Sequence, residues 1–456
     1  MLSEKITEEE GHSQTYSSRF FEEPIPKYSL PEKGMPANAA YQLIHDELNL
    51  DANPSLNLAT FVTTWMEPEA TQLIQESLHK NFIDHDEYPQ SEKIQTRCVN
   101  MLARLFNAPD EANTMGTATI GSSEAIMLAL LGHKWAWKKR RQAEGKSVER
   151  PNVIFGAHAH ICWEKFAKYF DVEMRVVPVD EGSYTLRIEK VEPLIDENTI
   201  CVGGIVGSTY TGEIDPIQVL NSLLVTIKRE KGWDIPLHID AASGGFILPF
   251  TNPKFVWDFR LEQVQSINVS GHKFGLVYPG VGWILWKEKK DFPDDLIYKV
   301  DYLGGWMPTY TLNFSRGSGG IIAQYYNFLR LGREGYTNIM QNSLNNARYL
   351  SQLLQKDGRF TLINRGEELP IVIMRLAPSV EGYTVFDLSE KVREKGWILS
   401  AYTLPKNAEE VAVLRVVVRE NFSHDMAELL YGHIQEACLT LDKEKREHTK
   451  THINVC

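Results

Sequence analysis

Six short apolar runs, at 152–155, 173–178, 200–202, 237–240, 266–270 and 282–286, dominate the middle of the chain. Each is bounded by turn residues or by a stretch with helical spacing. Short, largely apolar runs bounded in this way belong to strands of a sheet covered on both faces. Alternation with helices then predicts an α/β fold with a mostly parallel sheet covered on both sides. The longest intervening helix is predicted from Ser122 to Arg141, with the basic end Lys138, Lys139, Arg140 and Arg141 suited to a helix C-terminus.

A chain of 456 residues is too long for one core. Residues 1–55 are polar, hold Pro24, Pro26, Pro31, Pro36 and Pro54, and carry one helical pattern from Ala39 to Leu48, so they read as an N-terminal arm. Residues 56–343 form the large α/β domain. A long helical stretch after Gly319, with breaks near Gly332 and Gly335, leads into a smaller α+β C-terminal domain at 344–441, with strands expected at 369–374 and 411–418. Residues 442–456 read as a polar, mobile tail. The net charge of −12 argues against nucleic-acid or anionic-membrane binding. Five widely spaced cysteines with no C-x-x-C argue against disulfides and zinc and fit a reducing compartment, with the cytoplasm as the default location. No stretch has the apolar length of a transmembrane helix.

Chemistry-bearing residues gather at the ends of the predicted strands, where open α/β sheets place their ligands. Asp240 closes the run Leu237, His238, Ile239 and is followed by small residues that let a flat ring approach. Lys273 follows the next strand, among Ser270, Gly271, His272 and Gly275. Gly121, Ser122 and Ser123 open the long helix, where free N–H groups and hydroxyls make an anion site. His160 follows another strand end and offers a flat polar ring; with His158 it also suggests a metal pair, but no third ligand has a metal-like spacing. Each residue alone has an ordinary explanation as a solvated lysine, a turn aspartate or a helix cap. Together they meet the needs of pyridoxal 5'-phosphate (PLP): an amine for its aldehyde, a carboxylate for its ring nitrogen, a cradle for its phosphate and a flat group over its ring.

The segments 57–61, 88–90, 120–125, 238–246, 270–275, 301–305, 313–316 and 325–335 carry a resemblance that runs from about residue 39 to about residue 430. The chain resembles the group II pyridoxal-dependent decarboxylases of aspartate aminotransferase-like fold (fold type I), and among them the glutamate decarboxylase family most closely. The resemblance implies that Lys273 bears PLP as a Schiff base, that Asp240 pairs with the ring nitrogen and that His160 stacks on the ring. It implies phosphate contacts from Ser122, Ser123 and His272, with Ser315 reaching in from a neighbouring subunit, and Thr209 beside the cofactor. Thr60, Phe61, Asn81 and Asp84 match the family's pocket for the distal carboxylate of L-glutamate, and Arg415 matches its α-carboxylate arginine. Tyr302 and Leu303 fall on the family's mobile loop over the site.

The implied reaction converts L-glutamate to 4-aminobutanoate (GABA) and CO2 and consumes a proton, which suggests a role in acid tolerance. One departure is His160, where close bacterial and plant relatives usually carry glutamine; the flat polar character is kept. The implied assembly is a homodimer at least, and bacterial relatives often form homohexamers that use the N-terminal arm. The tail has no tryptophan and only a short basic run, which speaks against a calmodulin-binding helix. His448 and His452 are candidates for a pH switch that closes the site, beside the plainer reading of a polar chain end. Two rivals share the cofactor residues: a decarboxylase of another amino acid, which would not need the Thr60, Phe61, Asn81 and Asp84 set, and a non-catalytic protein of the same fold.

Overall fold

The structure, a computed structural model, describes residues 26–300 and 307–453. Two units pack internally, Met1–Leu56 and Asn57–Cys456. The described part of the first holds a helix, α1 (Ala37–Leu48), and a short 3-10 turn at Pro54–Leu56.

The second unit is built on a seven-stranded sheet in the order β1-β7-β6-β5-β4-β2-β3. Its strands are β1 (Met115–Thr119), β2 (Asn152–Gly156), β3 (Glu173–Val177), β4 (Thr199–Ile205), β5 (Leu237–Asp240), β6 (Val264–Val269) and β7 (Gly282–Trp286). Only β7 runs against its neighbours, β1 and β6; the pairs from β6 to β3 are parallel. The expected mostly parallel sheet is therefore present. Every residue of β2, β4, β5 and β7 is buried, as expected for strands covered on both faces. The strand that the apolar pattern did not announce is β1, whose Met-Gly-Thr-Ala-Thr sequence is small and hydroxyl-rich.

Three helices position the site. They are α2 (Ser122–Ala143), α3 (Cys162–Tyr169) and α4 (Gly319–Asp357). The break expected in the last falls at Gly332, with φ +57° and ψ −167°, and the helix runs on through residue 343. It leads into a second, four-stranded sheet, β10-β11-β13-β12, with β10 (Phe360–Arg365), β11 (Ile371–Leu376), β12 (Ser400–Thr403) and β13 (Ala412–Val417), all paired antiparallel. Between the two sheets, β8 (Tyr298–Val300) and β9 (Met307–Thr309) form a small hairpin.

The chain beyond Asp442 differs from the sequence expectation. The final helix, α5 (His424–Ile453), continues through most of the stretch read as a tail. Lys391 pairs with Glu444 at 3.1 Å, and Arg359 with Asp442 at 4.0 Å, so charges on earlier elements meet this polar segment. The side chains of His448 and His452, and all of Tyr302 and Leu303, lie outside the described residues. Among the described residues no helix is long and apolar enough to cross a membrane.

Candidate active site

Parallel pairing of β4, β5 and β6 brings their C-terminal ends to one edge, and a cavity of about 380 Å³ opens there. Ser122, Ser123, His160, Thr209, Asp240, His272 and Lys273 all line it. Seven residues drawn from five separate segments thus meet in one place.

Asp240 is 5% exposed and is held by three donors. Its Oδ1 accepts from Asn268 Nδ2 at 3.0 Å and from the Ala242 N–H at 3.1 Å, while Oδ2 accepts from Trp163 Nε1 at 3.2 Å. A carboxylate has about four acceptor positions. One position on Oδ2 therefore remains for a donor arriving from the cavity. A protonated ring nitrogen has the required N–H. The indole reaches Asp240 only because residue 203 on the neighbouring strand is glycine; a Cβ there would collide with Trp163.

Lys273 Nζ lies 3.4 Å from Ser243 Oγ and 5.1 Å from the centre of the Phe61 ring. Burial lowers its pKa, against the opposing pull of Asp240. A buried amine with a lowered pKa is more often neutral, and only the neutral amine attacks an aldehyde. The backbone is fixed from the other side, where Thr63 Oγ1 donates to the Lys273 carbonyl at 2.7 Å and the Thr63 N–H to the His272 carbonyl at 2.9 Å. These bonds set Phe61 beside the lysine.

At the opposite end of the cavity Gly121 is the N-cap of α2 and supplies no side-chain acceptor to the first turn. The helix N-terminus thus presents donors to an anion. Ser122 Oγ bonds Ser270 Oγ at 2.7 Å. His272 Nδ1 is buried without a partner, and its ring stands 3.1 Å from where a Cβ on residue 121 would be. Burial, followed by the charge of Lys273, pushes its pKa down to about 4. Glu124 reaches back to the Ile120 N–H at 2.8 Å and also accepts from the N–H groups of Leu312 and Asn313, which fixes the mouth of the helix. The orphaned His272 nitrogen, the uncapped helix start and the vacant acceptor position of Asp240 match the phosphate and ring nitrogen of PLP.

His160 sits at the exposed edge of the cavity, with Nδ1 3.1 Å from Cys162 Sγ. His158 is not part of a metal pair; its Nε2 lies 3.0 Å from Asp215 Oδ1. Arg415 is 8% exposed and donates to the carbonyls of Thr209 and Ala59, the second at 2.7 Å, while its guanidinium lies 4.8 Å above the Phe61 ring. Its Nε is buried and has no acceptor, so a carboxylate can still be received.

The proposed distal-carboxylate residues divide into two groups. Phe61 stands with Lys273 and Arg415, while Thr60 Oγ1 accepts from the Val62 N–H at 3.1 Å; Thr60, Phe61 and Arg415 are not among the residues that line the cavity. Asn81 and Asp84 stand with Ser315, where Asn81 Nδ2 lies 3.4 Å from both Asp84 Oδ1 and Ser315 Oγ, and none of the three lines the cavity. Sequence reasoning assigned no role to Trp163, Ser243, Asn268 or Ser270. The available signal was alternation: His238 and Asp240 on β5, and Ser266 and Asn268 on β6, are polar residues two apart within apolar strands.

A lysine and a carboxylate facing one cavity at the C-terminal edge of this sheet, with a helix N-terminus for an anion, define a PLP enzyme of the aspartate aminotransferase-like fold. The chain belongs to the pyridoxal-dependent decarboxylases: the family model for the pyridoxal-dependent decarboxylase conserved domain matches residues 31–377. A glutamate decarboxylase of Solanum lycopersicum is 53% identical over 96% of this chain and 87% of that protein. One from Aliivibrio fischeri is 46% identical over 95% of this chain and 94% of its own length. The solved glutamate decarboxylase of Lactobacillus brevis superposes with a TM-score of 0.90 at 44% identity, covering 93% of this chain and 97% of that one.

Two expectations follow from this geometry. Gly203→Val overpacks the Trp163 site and removes a donor from Asp240, so the apoprotein should melt earlier, by a change of about 1–3 kcal/mol, and bind PLP more weakly. The second concerns pH. Burial pushes the pKa of His133 down to about 3 and that of His238 down to about 4, from ordinary values of 6.5. Below pH 6.5 the unfolded chain binds protons that these folded sites refuse, so stability falls with pH, down to about 4 for His238 and about 3 for His133. Each site contributes a slope of up to about 1.4 kcal/mol per pH unit. Denaturation midpoints of the apoprotein between pH 7 and pH 4 measure this, and His133→Gln should flatten the dependence.

Proposed function

We propose that the chain decarboxylates L-glutamate to 4-aminobutanoate and CO2. The observation that carries this reading is the 53% identity to a glutamate decarboxylase over 96% of this chain. Arg415, with its unsatisfied Nε–H beside Phe61, suits the α-carboxylate of an amino acid. The similarity to glutamate decarboxylases supports the same substrate.

Bound PLP supplies an electron sink that accepts the electron pair left at the substrate's Cα when CO2 departs. The protein's residues do the rest. Lys273, with its amine desolvated, would hold the cofactor through its aldehyde. Asp240, ionised and fixed by three donors, keeps the ring nitrogen protonated. Ser122, Ser123 and His272 at the start of α2 take the phosphate, Thr209 lies beside the cofactor, and His160 covers the ring from the exposed side. Thr60 and Phe61 shape the pocket with Arg415. Asn81, Asp84 and Ser315 form a group away from their own chain's cavity, which supports a homodimer in which each chain completes its partner's site; the arm of residues 1–55 is available for a larger assembly, including a hexamer. The chain divides at residues 55, 343 and 441 into an arm, a large domain, a small domain and a C-terminal segment, with α4 running across the boundary at 343.

A proton from solvent replaces CO2 at Cα, so each turnover removes one proton. In a cytoplasmic enzyme this raises internal pH, and a strain lacking the gene should survive acid less well when glutamate is supplied. Equal survival would remove the acid-tolerance role.

The direct test is release of CO2 from a panel of amino acids across pH, with and without added PLP. Glutamate should be the preferred substrate by at least about 100-fold over aromatic amino acids, since a pocket whose polar groups bond a distal carboxylate leaves them unpaired when the substrate lacks one. Equal rates on histidine or an aromatic amino acid would favour the rival decarboxylase. Lys273→Ala should abolish both turnover and the visible Schiff-base absorption band; retention of the band would move the cofactor to another amine. Truncation after Leu441 removes His448 and His452 and should extend activity toward neutral pH, whereas an unchanged pH profile would rule out a tail switch.

A further inference from the structure

One oxygen of Asp240 is turned to the cavity. Behind the other runs a continuous row of buried polar groups. His133 Nε2 lies 2.7 Å from Ser266 Oγ, which lies 2.7 Å from His238 Nδ1. His238 Nε2 lies 2.8 Å from Asn268 Oδ1, and Asn268 Nδ2 donates to Asp240 Oδ1 at 3.0 Å. The strand register creates the row: His238 is paired with Ser266, and Asp240 with Asn268, on one face of adjacent parallel strands, with α2 bringing His133 over that face.

The chemistry of these groups leaves a single arrangement of protons. An ionised carboxylate only accepts, so Asn268 must present its NH2 to Asp240. The amide oxygen of Asn268 only accepts, so His238 carries its proton on Nε2. Burial keeps both histidines neutral. A neutral ring protonated at Nε2 has a bare Nδ1, which must accept from the Ser266 hydroxyl. The Ser266 oxygen is then an acceptor for His133 Nε2–H. All four donors point toward Asp240, and dipoles aligned in this way reinforce one another in a medium of low dielectric.

We propose that His133, Ser266, His238 and Asn268 are positioning residues for the reaction, forming a one-way hydrogen-bond chain that holds Asp240 ionised with Oδ2 toward the cofactor's ring nitrogen. The proposal rests on the reading that Asp240 pairs with that nitrogen. A core strand filled for stability alone would carry apolar side chains here, since buried polar groups gain little over well-packed hydrophobic ones. When the donor to Oδ1 is lost, the carboxylate becomes the stronger base and draws the proton off the ring nitrogen. Ser266 and His133 touch neither the cavity nor Asp240, so any influence they have on the cofactor must pass along the chain.

The test loads the full-length protein with PLP labelled with nitrogen-15 in its ring and reads the nitrogen chemical shift together with the PLP dissociation constant. Ser266→Ala should weaken PLP binding by about threefold to tenfold, the worth of one net hydrogen bond, and move the shift part of the way toward neutral pyridine. Asn268→Leu should weaken binding by more than about tenfold, as expected for a bond to a charged group, and move the shift further. Ser266→Thr keeps the hydroxyl and should restore both readings. In turnover, kcat should fall while KM for glutamate stays near its original value. If Ser266→Ala lowers the melting temperature but leaves the shift and the dissociation constant unchanged, the chain is packing alone and the proposal fails; this variant decides the matter even if Asn268→Leu does not fold. Asp240→Asn separates the two readings. A shift unmoved by Asp240→Asn overturns the pairing of Asp240 with the ring nitrogen, whereas a shift that responds to Asp240→Asn but not to Ser266→Ala overturns only the chain.

Discussion

A carboxylate at the buried end of a parallel strand is costly unless its charge is met by donors, and the surroundings of Asp240 are organised around that requirement. Trp163 approaches from α3, Asn268 from β6 and the Ala242 N–H from the turn that follows β5. Each approach demands something of the sequence elsewhere. The indole needs a glycine at 203, the Asn268 amide needs β6 in register with β5, and the turn needs small residues after Asp240. The carboxylate keeps one acceptor position toward the cavity because its donors arrive from the protein side.

The two ends of the cavity obey different physics. At the Asp240 end, specific bonds deep in the sheet fix one charge. At the α2 end the helix N-terminus and serine hydroxyls present partial charges suited to an anion, with His272 held neutral close to the backbone. Lys273 sits between them, with its amine desolvated and its backbone clamped by Thr63. A ligand with an anionic group at one end and a cationic ring nitrogen at the other is oriented by that asymmetry before any covalent bond forms.

Much of this was legible in the linear chain because it rests on local rules. Five of the six apolar runs correspond closely to sheet strands, and the run at 200–202 lies within the longer β4; short apolar runs separated by helices bury best between two helical layers. Lys273, Asp240 and the Gly121-Ser122-Ser123 turn were recognisable because strand ends and helix starts are where such side chains become useful. β1 and the edge strands β10 and β12 were not legible, since small, hydroxyl-bearing or half-exposed residues form strands only when a neighbouring strand pairs with them. The helix beyond Asp442 was missed for a related reason: its polar residues meet Lys391 and Arg359, which come from distant parts of the chain.

The sequence by itself determined the class of fold, the cofactor lysine and its partner aspartate, because periodicity and strand-end position follow from covalent geometry. Only the tertiary structure decided which donors hold Asp240, which way the protons between His133 and Asp240 must point, and that Asn81, Asp84 and Ser315 group apart from Thr60 and Phe61. Those facts depend on register between strands, on a helix packed across them, and on distances between residues that are far apart in the chain. Hydrogen-bond direction in a buried row is a property of all its members together, and no single position in the sequence carries it.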